Sequence, residues 1–172
     1  MNLTAGTQYI LVTTQCCDGT DLNEEIAYTN RIQGDGDIHL GTTPDIDVSG
    51  NGNGIADGDA TPDATDATDF GATMVGVPVT RSFTIRNVGG ADLTIASVSV
   101  PSGFTVTTSP SANVAPAGST TLDLRCDAAA VGSYTGNVTL TSDDLDERTY
   151  DFAIRCDVAA APHVATPAIP TM

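Results

Sequence analysis

The chain has no tryptophan and no lysine, and its four Tyr and four Phe make up only 5% of 172 residues. Without Trp, a core has to be built from Val, Ile, Leu and Ala around those few rings. An apolar content of 40% allows that for one modest domain with appendages. No run approaches the roughly 18 apolar residues of a membrane-crossing helix, so membrane insertion is not expected. With Lys missing, all six cations are Arg (31, 81, 86, 125, 148 and 155) against 22 acids, and the net charge is −16. Only Glu24, Glu25 and Glu147 among those acids are Glu. Phosphate backbones need clustered Lys or Arg, so nucleic acid is excluded as a direct ligand. Such an acidic surface either holds water and cations in a saline, halophilic setting or only keeps the protein soluble.

Catalytic patterns are missing too. There is no Gly-x-Ser-x-Gly elbow, no His-Glu-x-x-His, no phosphate loop and no Gly-x-Gly-x-x-Gly between strand and helix. Only His39 and His163 could assist a zinc site, and no Cys-x-x-Cys spacing exists, so zinc is not expected. The acids cluster in turns, where solvated carboxylates are far commoner than a glycosidase pair. The expectation is a non-enzyme. The start, Met1-Asn2-Leu3-Thr4-Ala5-Gly6, has no basic or long apolar region of a secretory leader. Either export by that route is not used or a leader has been removed.

What is present is alternation. Phe83 and Ile85 alternate with Ser82, Thr84 and Arg86, and Leu122, Leu124 and Cys126 with Thr121, Asp123 and Arg125. Tyr134, Val138 and Leu140 follow, then Tyr150, Phe152, Ile154 and Cys156. Turn clusters lie between them at 87–92, 110–118 and 142–147. Short strands at this spacing, with no helical period, predict an all-β, two-sheet sandwich over residues 44–158. Residues 1–43 read as an N-terminal β arm, with one strand at 8–13 and weaker ones near 26–32 and 37–40. Residues 159–172 read as a Pro/Ala-rich extended tail, since three prolines exclude a helix.

Several ordered stretches carry a family resemblance: Asp45-Ile46-Asp47-Val48-Ser49-Gly50-Asn51-Gly52, Ile55-Ala56-Asp57-Gly58-Asp59, Thr68-Asp69-Phe70-Gly71, Phe83-Thr84-Ile85-Arg86-Asn87, Gly136-Asn137-Val138-Thr139-Leu140 and Tyr150-Asp151-Phe152-Ala153-Ile154. Together they resemble the choice-of-anchor D domains, immunoglobulin-like modules related to the abnormal-spindle/hydin type. The resemblance implies an immunoglobulin-like sandwich, and a structural or adhesive unit rather than a particular chemistry.

Four groups of residues are candidate sites. Cys126 and Cys156 sit in matching contexts on the inward parity of their strands. In an immunoglobulin-like order those strands belong to opposite sheets, so an inter-sheet disulfide fits. It would close a loop of about 30 residues worth roughly 3 kcal/mol, whereas reducing surroundings would leave two buried thiols. Cys16 and Cys17 are adjacent and point apart on an extended chain, so one could cross-link to a neighbouring subunit or both stay free. Asp45, Asp47, Asn51 and Asn53 begin like a calcium-binding loop, with Asp57 and Asp59 as further donors, but Ala56 stands where the closing bidentate acid belongs. Calcium is therefore the one cofactor worth testing. Asn2-Leu3-Thr4 and Asn137-Val138-Thr139 fit the glycosylation tripeptide.

The resulting expectation is a structural protein of a large assembly, with homo-oligomeric or lattice contacts made by the arm and tail. Its partner strand would be Tyr9, Ile10, Leu11 and Val12, because a lone strand must pair its backbone groups somewhere. A virion surface component, decoration or tail, leads. A secreted cell-surface filament or adhesin subunit using donor-strand contacts is the alternative, and a soluble carbohydrate- or calcium-binding module is the third. The expected location is a virion or extracellular surface.

Overall fold

Strand-forming runs with an apolar residue at every second position bury one face only when two sheets are laid together, and that is how the chain folds. The computed structural model describes residues 43–162, which form ten strands and no helix. One sheet holds, in spatial order, β2 (Asn53–Ile55), β1 (Ile46–Gly50), β4 (Val79–Asn87), β8 (Ser119–Cys126) and β6 (Phe104–Thr108). The other holds β3 (Asp69–Met74), β10 (Thr149–Ala159), β9 (Gly132–Ser142), β5 (Leu93–Ser99) and β7 (Asn113–Val114). All pairings are antiparallel except β3 with β10, which is parallel. This is the immunoglobulin order, with the first, second, fifth and fourth main strands in one sheet and the remainder in the other.

The core lies where both inner faces meet. Phe83, Ile85, Leu122 and Leu124 from one sheet pack against Val138, Leu140, Phe152 and Ile154 from the other, all fully buried. The few rings are paired: Phe83 with Phe152 at 5.4 Å between centroids, and Phe70 with Phe104 edge-on at 5.2 Å. Such pairs add about 0.5–1.5 kcal/mol beyond area burial, which suits a core without Trp.

Topology sets the two ends. The described chain enters where Thr43 accepts the Gly90 N–H (2.9 Å) and where the Ile46 N–H donates to Asp144, in the β9–β10 turn. It leaves from β10 at the far end, where Val158 pairs with Gly132 and Ala159 with Met74. The domain is thus threaded from a proximal pole to a distal pole.

The free sheet edges are short or irregular. β2 has three residues and β7 two. The β6–β8 register slips between Val106 and Thr108, and β3 carries Gly71 at φ +80°. Blunted edges of this kind resist pairing with other chains.

Candidate functional site

At the proximal pole three acids converge. Asp45 precedes β1, while Asp144 and Glu147 belong to the turn joining β9 to β10, and each offers an oxygen within 4.8 Å of the others'. All three are buried. The turn is held over the start of β1 by defined bonds. The Asp144 carboxylate accepts the Ile46 N–H (2.9 Å), the Ser142 hydroxyl accepts the Asp144 N–H (3.2 Å), and Thr94 and Asp143 exchange bonds of 2.7 and 3.1 Å. Asn87, with no solvent exposure, ties the pole together: its amide donates to the Ala91 and Val114 carbonyls, and its oxygen accepts the Gly89 and Asp45 N–H groups.

Burial raises the Asp144 carboxyl to about 6, and a hydrogen bond with the Asp146 side chain pushes the same way. Chemically the cluster is a shielded group of three carboxyls, of which Asp144 resists ionisation. Its dimensions match those of a cation site. Nearby, the Tyr150 hydroxyl donates to the Ile55 carbonyl, and burial drives its own ionisation far upward.

The structure does not assemble the loop of oxygen donors that the residues 45–59 suggest. Asn51 and Gly52 instead form the tight turn of the β1–β2 hairpin, both with positive φ. In the hairpin Asp47 lies on the outer face while Asn53, paired with Gly50, lies on the inner one. Asp57 and Asp59 follow beyond the hairpin, so Asp45, Asp47, Asn51, Asn53, Asp57 and Asp59 do not wrap one centre. Asn53 donates to the Thr65 carbonyl (2.6 Å), Asp57 accepts the Asp151 N–H (2.7 Å), and Asp59 accepts from Thr61. Of the six, Asp45 alone joins the carboxylate cluster. Its companions Asp144 and Glu147 escape sequence reasoning, because only the fold brings that turn over the start of β1. The acid run Asp143-Asp144-Leu145-Asp146-Glu147 was the available signal.

Cys126 on β8 and Cys156 on β10 are joined by a disulfide, with Cα atoms 6.4 Å apart. The bridge is completely buried and links the two sheets. Tyr9, Ile10, Leu11, Val12, Cys16 and Cys17 lie outside the described residues, as do Asn2, His39 and His163. Asn137 is exposed on β9 and donates to the Asp151 carboxylate.

A further pattern links sequence to structure. Asp59-Ala60-Thr61, Asp63-Ala64-Thr65 and Asp66-Ala67-Thr68 repeat one tripeptide, and in each the Asp oxygen accepts the backbone N–H two residues on, at 2.7–3.0 Å. Asp residues hold turns in this way. The Thr65 N–H and hydroxyl keep Asp63 below the ordinary carboxylate range, and Arg155, 2.5 Å from Asp69, does the same there. The segment runs beside the outer edge of β10, where the Gly58 N–H donates to the Asp151 carbonyl and the Ala153 N–H to Asp59. These acids are thus occupied in shaping a cover for the sheet edge.

Residues 63–157 match the sequence profile of the HYDIN/CFA65/VesB-like, Ig-like domain. Among solved structures, a protein of unknown function from Porphyromonas gingivalis W83 is similar, with a TM-score of 0.50 and 18% identity, over 68% of this chain and 48% of that one. The chain therefore spans about half of that protein's length. The Vibrio cholerae VesB protease is similar at a TM-score of 0.42 and 21% identity, over 52% of this chain and 29% of that one. The PapD-like domain 7 of human CEP192 is similar at a TM-score of 0.44 and 15% identity, over 55% and 81%. No curated protein matches. At these identities the likeness concerns the fold.

Proposed function

Since the chain belongs to the HYDIN/CFA65/VesB-like Ig-like domain family, we propose that it is a non-enzymatic structural and interaction module of a large assembly. Within that family we assign it to the choice-of-anchor D type, on the ordered motifs from Asp45 to Ile154. The observation that carries this reading is the pole-to-pole path of the chain. A module entered at one end and left at the other transmits position along a line, as spacers and displayed units do.

The leading reading is a virion surface component, a decoration or tail protein, whose N-terminal arm meets neighbouring subunits. The buried inter-sheet disulfide supports an oxidising location such as a virion or extracellular surface. The net charge of −16 supports a solvated outer face that stays clear of nucleic acid. A subunit that receives donor strands needs a long regular edge. The short and bulged edges here favour contacts through the poles and the arm.

Immunogold labelling of the native source with an antibody to residues 44–158 tests the reading. Gold is expected on virus-like particles. Gold along filaments or over the cell envelope instead would replace the virion reading by the filament or adhesin one, and an evenly dispersed monomer would remove both.

A further inference from the structure

Four large apolar side chains are exposed among the described residues, and three share the distal pole: Met74 (44% exposed), Val77 (55%) and Val131 (62%). Backbone pairing brings them there. Met74 pairs with Ala159, the Val75 N–H donates to the Ala159 carbonyl (2.9 Å), the Gly76 N–H donates to Ala128 (2.9 Å), and Gly132 pairs with Val158. The turn residues around them are Ala128, Ala129 and Ala130. The nearest acid in that turn, Asp127, is bound by Arg125 at 2.8 Å. In a chain of net charge −16 this pole gathers three exposed apolar side chains into a small island, with Asp127 engaged by Arg125 and Asp157 one residue before Val158 at its border.

We propose that this island is the seat of the chain's own C-terminal segment, 163–172. Three observations select this occupant. First, β10 ends at the island itself, so the segment begins beside the site it would cover. Second, residues 159–172 carry no acidic side chain in a chain that has 22 of them, and residues 163–172 include Val164, Ile169 and Met172. An acid-free, largely apolar chain meets an apolar surface. Third, magnitude decides against a free partner. Three half-exposed side chains offer a small fraction of the roughly 800 Å² per partner that a stable complex buries. A tethered segment needs far less area, because a short linker holds it at roughly millimolar effective concentration. Pro-containing chain spans roughly 3 Å per residue, so Ile169 is within reach of the pole.

This inference revises one part of the assembly reading, because it assigns the tail to the module's own distal pole and leaves neighbour contacts to the N-terminal arm. Methyl NMR on the full chain tests it. Nuclear Overhauser contacts are expected between Ile169 and the side chains of Met74, Val77 or Val131, in dilute and concentrated samples alike. Ile169→Asp should abolish them. It should also raise binding of an apolar-surface dye several-fold while leaving the melting temperature of the disulfide-bonded sandwich unchanged. Val131→Asp should abolish the same contacts from the other side. Two results overturn the proposal: no contact together with unchanged dye binding, or contacts seen only between differently labelled copies, which would make a second molecule the occupant.

Discussion

Individual residues decide how this sandwich responds to pH and redox conditions. Asp144, raised to about 6 by burial, keeps its proton in the folded state at pH values where the unfolded chain has lost it. Between about pH 4 and pH 6 the folded state therefore binds more protons at this site, and stability falls as pH rises through that window. Asp69 and Asp123, held low by Arg155 and Ser82, act oppositely: their contribution is present above about pH 4 and fades as pH falls below it. Asp144→Asn keeps an oxygen acceptor for the Ile46 N–H, so it should flatten the decline from pH 4 to pH 6, as thermal melts across pH would show. The Cys126–Cys156 bridge closes a loop with a sequence separation of 30. Replacing both cysteines by Ala should cost roughly 3 kcal/mol, read from urea unfolding without reductant. With reductant, the wild type should approach the variant.

At the scale of elements, the β1–β2 hairpin and the acidic tripeptide repeat depend on one glycine. A Cβ on Gly50 would stand 1.7 Å from the Asp66 carbonyl oxygen, so the strand and the covering segment touch backbone to backbone. Gly50→Ala should destabilise by about 1–3 kcal/mol through forced displacement. Amide exchange should quicken first along residues 59–69 and at the edge of β10 that they cover. The alternating strands β4, β8, β9 and β10 were legible in the sequence because half-buried strands leave a period-two record of which face meets the core. β7 and β2 were not, since two or three residues hold no period. The stretch 45–59 shows how a one-dimensional spacing misleads. Asp and Asn at alternate positions with a following Gly suit both an ion-wrapping loop and a strand turning into a hairpin, and Asn51 at φ +51° resolves it as the hairpin.

For the molecule as a whole, charge is the governing quantity. Twenty-two acids against six Arg impose self-repulsion on the compact state. Raising ionic strength from about 0.01 to 0.15 M shortens the screening length from roughly 30 to 8 Å, so the melting temperature should climb over that range. A flat response would mean that the acids are already compensated locally, as Asp69 and Asp127 are by Arg155 and Arg125. The pole-to-pole path places Thr43, where the described chain enters, and Ala159, where β10 ends, at opposite ends of the module. A contact made at one pole is therefore physically separate from a contact made at the other.

Composition and alternation by themselves determined the all-β class, the two-faced strands and the acidic exterior. Each is a local or summed property, and needs no knowledge of which strand lies beside which. Only tertiary structure decided that Asp45 meets Asp144 and Glu147 across almost a hundred residues, that Asn87 is a buried tie rather than a turn residue, and that Met74, Val77 and Val131 share one pole. Those are consequences of strand order and connection, and side chains distant in sequence become neighbours only when the sheets close and select which turns share an end.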